Sequence, residues 1–189
     1  MEQRGCGRDF LNSPLQNKNF AKKLKIHSVW SSEMNSMAKA LVLYHSQEFG
    51  NTAAMAEAVA EGLKAVGCET TLFNTNEGRF DVTEFPQYDC VAFGSPDYYS
   101  YIAGGLKTFM DDHYVHDVRK GLAGLKGKPY VLFYSHGGGG RVREAMLKIF
   151  KRVGSLVADP VGTHGKPDSE ALKKCKALGK QLAENVLNK

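Results

Sequence analysis

Tyr44-His45-Ser46-Gln47-Glu48-Phe49-Gly50-Asn51-Thr52 decides how this chain is read. An apolar run, Ala40-Leu41-Val42-Leu43-Tyr44, precedes it and has the look of a buried strand. A strongly periodic helix begins near Thr52, with Met55, Val59 and Leu63 four residues apart and Gly67 just past the end. A strand, a short loop bearing hydroxyls and a glycine, and a helix N-terminus together make a phosphate site. The first N–H groups of a helix have no partner within it, and the helix dipole is positive there. Ser46 and Thr52 add hydroxyls, Asn51 an amide, and Gly50 a backbone free to turn. No lysine follows the glycine, so this is not the nucleotide loop of the GxxxxGK[ST] type. The plainer alternative is a strand-to-helix turn with Thr52 as N-cap.

Two later loops bear on that choice. Asp89-Cys90-Val91-Ala92-Phe93 reads as a second buried strand and runs into Gly94-Ser95-Pro96-Asp97-Tyr98-Tyr99-Ser100-Tyr101. Tyr130-Val131-Leu132-Phe133-Tyr134 reads as a third and runs into Ser135-His136-Gly137-Gly138-Gly139-Gly140. Strands near 68–73 and 154–158, and helices near 104–113, 141–152 and 168–187, complete a regular alternation. This pattern implies a parallel, doubly wound α/β sheet with right-handed crossovers. Ligands of such sheets bind outside the carboxyl ends of the strands, where strand order reverses. One loop there supplies phosphate donors, one tyrosines and one bare backbone, a set that suits a flat aromatic ligand carrying a phosphate.

On these residues the chain, from about Ala38 to Asn188, resembles the flavodoxin-like FMN-binding domains. The matching features are Ser46…Gly50-Asn51-Thr52, Gly94-Ser95-Pro96 with its tyrosines, the Ser-His-Gly loop at 135–140, and the ending Pro167-Asp168…Leu178-Gly179-Lys180. The resemblance is stronger to the NAD(P)H:quinone oxidoreductase and FMN-reductase-like branch than to the small acidic electron carriers. It implies a five-stranded parallel sheet of order 2-1-3-4-5 in a three-layer sandwich. It also implies FMN as cofactor and NAD(P)H as electron donor. Three residues separate Ser46 from Gly50 where that branch has two, so either Ser46 or Gln47 takes the first phosphate position. The other implied cofactor contacts are Phe49, Gly50, Asn51 and Thr52; Ser95, Pro96, Asp97, Tyr98 and Tyr99; and Ser135, His136, Gly137, Gly138 and Gly139. His136 is the candidate catalytic group, since a histidine takes either charge state near neutrality. Two functions lead, with a regulatory module that has lost its flavin as a third reading kept open by the longer loop. The preferred one is two-electron reduction of a quinone or similar small acceptor by NAD(P)H, with a homo-oligomer as one arrangement that completes the site. The alternative is an electron carrier that serves redox protein partners and has no small-molecule substrate.

Composition narrows the classes. The chain has 189 residues, 42% hydrophobic and 24% charged, which suits one globular domain. Of the net charge of +5, residues 1–36 carry +3, from six basic and three acidic side chains. The remainder is near neutral and has no basic stripe interleaved with aromatics, so a nucleic-acid role is not expected. No apolar stretch is long enough to span a bilayer. Cys6, Cys68, Cys90 and Cys175 match neither zinc nor redox-pair spacing and are read as thiols of a reducing cytoplasm. Residues 1–36 show no sustained period and are expected to form a poorly ordered extension ahead of a domain at 37–189. Met37 is the candidate natural start, with Met34 as the alternative. Asp111-Asp112-His113-Tyr114-Val115-His116 has the composition of a metal site but reads better as a solvated helix end, since no third cluster supports it.

Overall fold

The computed structural model describes residues 37–188; the expected extension over 1–36 and Cys6 lie outside them. β1 (Lys39–Tyr44), β3 (Cys90–Pro96) and β4 (Lys128–His136) form the centre of a parallel sheet. Ala40, Leu41, Val42 and Leu43 are wholly buried, because helices cover both faces and leave no polar side of the strand. β2 (Glu69–Asn74) lies outside β1, giving the order β2-β1-β3-β4-β5. The alternation of elements implied the parallel sheet, and the resemblance implied this order.

Successive strand residues point to opposite faces, so the sheet divides the interior into two cores. Leu41, Leu43, Val91, Phe93 and Leu132 face one side and meet α2 (Gly104–Tyr114) and α3 (Val142–Phe150). Aromatic side chains dominate there, with Phe93 and Phe150 stacked at 4.0 Å between centroids. Ala40, Val42, Cys90, Ala92 and Val131 face the other side and meet α1 (Asn51–Ala65) and α4 (Ser169–Leu187). The residues on that face are smaller, and the two helices cross closely. A Cβ on Gly62 would lie 2.1 Å from the Lys176 carbonyl oxygen, and one on Gly179 would lie 2.1 Å from that of Val59.

Three details depart from the sequence reading. The fifth sheet position holds two segments. β5 (Gly154–Leu156) pairs with Lys128–Tyr130 at the start of β4, and β6 (Val161–His164) pairs with Phe133–His136 at its end. Pro160 between them has no N–H to give the ladder, so the edge is interrupted there. A 3₁₀ segment, Val82–Gln87, fills the connection from β2 to β3 and buries Val82 and Phe85; the Asp81 side chain accepts from Thr83 N–H at its start. His113 is not solvated: it is 2% exposed, and its Nε2–H donates to the Leu125 carbonyl at 2.8 Å. Asp112, its neighbour in the supposed cluster, instead pairs with Arg79 at 2.5 Å.

No helix among the described residues is long and apolar enough to cross a membrane. Cys68, Cys90 and Cys175 are free and buried, and burial pushes the thiols of Cys90 and Cys175 up to about 12. At neutral pH these are packing groups rather than nucleophiles.

Candidate functional site

Strand order reverses between β1 and β3, and the loops after β1, β3 and β4 meet above that point. They enclose a cleft of about 390 Å³, a usual size for a small-molecule site. Its walls are residues 46–52, Pro96, Asp97, Tyr98, Ser135, His136, Gly137 and Gly165.

The first loop is held from below. Ser46 N–H donates to Asn74 Oδ1 at 3.0 Å, and Asn74 Nδ2 donates back to the Ser46 carbonyl at 3.1 Å. This exchange pins the loop to the end of β2. Gly50 then turns with φ 63°, a left-handed conformation that suits glycine, and α1 follows. The Ser46 hydroxyl accepts from Ala53 N–H at 3.2 Å. The N–H groups of Asn51 and Thr52 find no acceptor among the described residues, and the first turn of α1 carries no acid. Thr52 Oγ1 lies 2.8 Å from Ser135 Oγ, which joins the start of α1 to the end of β4. Free backbone donors, three hydroxyls and a positive helix end form a donor set that fits a phosphate dianion. Gln47 also lies on the cleft wall. Its Oε1 accepts from the Tyr98 hydroxyl at 2.9 Å and closes the cleft from the side.

The second loop is a tight hairpin. Tyr98 and Tyr101 exchange two backbone hydrogen bonds, of 3.1 and 3.0 Å. Tyr99 and Ser100 between them have φ of 54° and 64°. Two adjacent left-handed residues other than glycine cost roughly 1–2 kcal/mol each, a strain of the kind that gathers at functional sites. The turn throws Tyr99 into solvent, so Tyr98 lines the cleft and Tyr99 does not. Ser95 lies beneath the cleft floor, fully buried, where its Oγ accepts from Ala103 N–H at 3.0 Å and holds the far end of the loop. The Asp97 carboxylate accepts from Val142 N–H at 3.1 Å and caps α3.

In the third loop a carbonyl can only accept, so His136 Nδ1 carries the proton it gives to Gly138 O at 2.6 Å. The ring stacks on Tyr134, with centroids 5.9 Å apart, and meets His164 edge-on at 5.5 Å. Gly140 has φ 65° and backs onto this cluster: a Cβ there would lie 3.1 Å from His136 Cδ2. Gly137 and Gly138 face open space. Gly137 is on the cleft wall, whereas Gly138 and Gly139 are beyond it. Two wall residues had no signal in the sequence. Glu48 sits exposed on the rim, and Gly165, with φ 65°, donates its N–H to the His136 carbonyl at 2.8 Å.

Beneath the hairpin His45 is 7% exposed, bonded through Nδ1 to Thr75 Oγ1 at 3.0 Å and set edge-on to Tyr98. Burial lowers its pKa below the ordinary 6.5, against a smaller opposing effect of Gln47. The unfolded chain therefore binds the proton more readily than the fold. Stability from this group is full above pH 6.5 and is lost as pH falls toward the lower folded value. Urea midpoints at pH 7 and pH 5 should drop further in the wild type than in His45→Gln; equal drops would mean that His45 titrates freely.

A doubly wound α/β protein with an anion cradle at its switch point is thus defined by fold and cleft together. The family model described as Flavodoxin matches residues 42–179, and the chain belongs to the flavodoxin family. A flavodoxin of Aquifex aeolicus is 34% identical over an alignment of 170 positions that covers 79% of this chain and 88% of that protein. A nitric oxide reductase of Moorella thermoacetica is 31% identical over 171 residues, 86% of this chain but 40% of that protein. The chain thus spans well under half of that second relative. Among solved structures, a flavodoxin from the domain Archaea superposes with a TM-score of 0.67 at 26% identity, covering 79% of this chain and 99% of that one. The flavodiiron protein from Giardia intestinalis, at 23% identity, gives 0.67 over 89% of this chain and 41% of its own, a likeness of fold. Membership implies FMN, and the donor set at the start of α1 fits its phosphate.

Proposed function

We propose that residues 37–189 bind FMN in this cleft and serve as an electron carrier between redox proteins in a reducing cytoplasm. The observation that carries the reading is the cradle formed by the Asn51 and Thr52 N–H groups with the hydroxyls of Ser46, Thr52 and Ser135. The chain's residues then have separate tasks. The start of α1 holds the phosphate, Tyr98 walls the ring, and Gly137 lets backbone approach its edge. Bound there, FMN supplies a centre that takes up and passes on electrons singly or in pairs. Phe49 at the cleft mouth and Tyr99 on the neighbouring hairpin are 84% and 105% exposed. Large apolar side chains held in water at a mouth suit a partner's surface more than a solvated enzyme pocket.

Reduction of quinones by NAD(P)H is the second reading, and the third loop favours it. Gly137 and Gly138 leave open space where a flat acceptor could lie, and residues 135–143 hold His136, Arg141 and Arg143 with no acid. Such a site would gain a wall from a second subunit. Reconstitution of the full chain with FMN, followed by NADH and NADPH oxidation assays with benzoquinone, separates the two. A carrier is expected to bind FMN and show negligible turnover. Sustained nicotinamide-driven quinone reduction would make the chain an enzyme, and failure to bind FMN would end both readings.

A further inference from the structure

We propose that the exposed face of α3, with Tyr101 at its edge, is the docking surface for an acidic redox protein. The proposal rests on the FMN reading above. Residues 141–152 hold Arg141, Arg143, Lys148, Lys151 and Arg152 against a single acid, Glu144. All five cations are exposed, and none pairs with a carboxylate among the described residues. Neighbouring lysines differ in this respect: Lys107 pairs with Asp111 and Lys126 with Asp117. Like charges crowded along α3 and the residues that flank it repel, so this surface stands ready for an anionic counterpart.

Geometry ties the charge to the redox site. Lys148, Lys151 and Arg152, with Tyr101, Ala145 and Ile149, line a groove of about 280 Å³ that contains no carboxylate. Tyr101 is bonded by backbone to Tyr98, whose side chain walls the cleft. One strained hairpin therefore has the cleft on one side and the cationic groove on the other. Asp97 fixes the start of α3 against the same loop through Val142 N–H. A protein seated on α3 would lie beside the ring edge. Each encounter would pass one electron between the partner's centre and FMN, with no bond made or broken. A two-fold contact of α3 with its copy would set cation against cation, which disfavours self-association. Tyr101 is the one aromatic side chain lining the groove, too little for the stacking platform of a nucleic-acid strand.

The test uses the full chain loaded with FMN and a triple variant, Lys148→Glu/Lys151→Glu/Arg152→Glu, with the glutamine triple as a milder control. A reduced plant-type [2Fe–2S] ferredoxin is the acidic probe and dithionite the small reductant, both followed by stopped flow. Steering between complementary surfaces raises association rates by roughly 10- to 1,000-fold at low salt. Charge reversal is expected to slow reduction by ferredoxin at least about tenfold at low salt. The glutamine triple should fall between, the difference should fade at high salt, and dithionite, a small anion that needs no docking surface, should slow far less than ferredoxin. Equal ferredoxin rates for variant and wild type would overturn the proposal. So would a low-salt dimer that charge reversal dissolves, or an oligonucleotide bound as tightly as ferredoxin and lost in the same way. Anisotropy of labelled ferredoxin with the flavin-free chain measures docking alone, so failure to bind FMN and failure to dock are read separately.

Discussion

Gly179→Ala is expected to lower the melting temperature of this protein by roughly 5–10 °C, the largest loss of stability for so small a change. On an isolated helix the sign would be opposite, because alanine is better than glycine by about 1 kcal/mol. Here the added Cβ would lie 2.1 Å from the Val59 carbonyl oxygen and 3.1 Å from Leu63 N. Those neighbours are backbone of α1 and cannot rotate aside, so the helices must part. Parting loosens Met55, Val59 and Leu63 from Cys175, Leu178 and Leu182 across the core. Overpacking of this kind costs about 1–3 kcal/mol, and a backbone clash belongs at the upper end. Gly62→Ala should behave alike, meeting the Lys176 carbonyl. The double variant should cost less than the sum, because one separation relieves both contacts. Gly104→Ala, at the open start of α2, serves as the neutral control. A thermal scan in which Gly179→Ala melts with the wild type would mean that α1 and α4 do not approach so closely.

Thr52→Ala should weaken FMN binding roughly tenfold to a hundredfold while changing riboflavin far less, since a hydrogen bond to a charged group is worth about 1.5–3 kcal/mol. The geometry adds a second demand. Thr52 and Ser135 share a 2.8 Å contact, so one hydroxyl donates to the other and the remaining proton is free for a phosphate oxygen. Ser135→Ala should then produce a loss of the same kind, and the double variant should lose little more than either alone. Titration of flavin fluorescence with each ligand gives both constants. Equal weakening of FMN and riboflavin by Thr52→Ala would place the phosphate elsewhere.

Much of this was legible in the chain because three strands are buried on both faces. Ala40–Leu43, Cys90–Phe93 and Tyr130–Phe133 read as unbroken apolar runs, and such runs leave little choice of architecture. The helix after Gly50 was legible from its period, and the first loop followed from its place between strand and helix. What the sequence concealed was set by distant partners. Residues 154–164 split because β4 offers two separate stretches for pairing, and no local signal records that. His113 turns inward because Leu125, twelve positions on, presents a carbonyl to it. Tyr99 and Ser100 occupy a turn normally given to asparagine and glycine, so composition could not reveal which tyrosine faces the cleft. Ser95 and Gly165 have roles defined by what lies above and beside them, which only the assembled sheet supplies.

The crossing of α1 and α4 also dictates an order of events during synthesis. Glu61 and Lys176, which join the two helices by an ion pair at 3.0 Å, are 115 positions apart. When β1, α1 and β3 have left the ribosome, half of their cover is still being translated. Ala58, Val59 and Leu63 on α1 face a groove that only the last helix can fill. A nascent chain from which α4 has not yet emerged is therefore bare on the part of this face that α1 leaves uncovered, and holdase chaperones bind such surface. The emergence of α4, rather than any step within the sheet, sets the earliest moment at which this core can close.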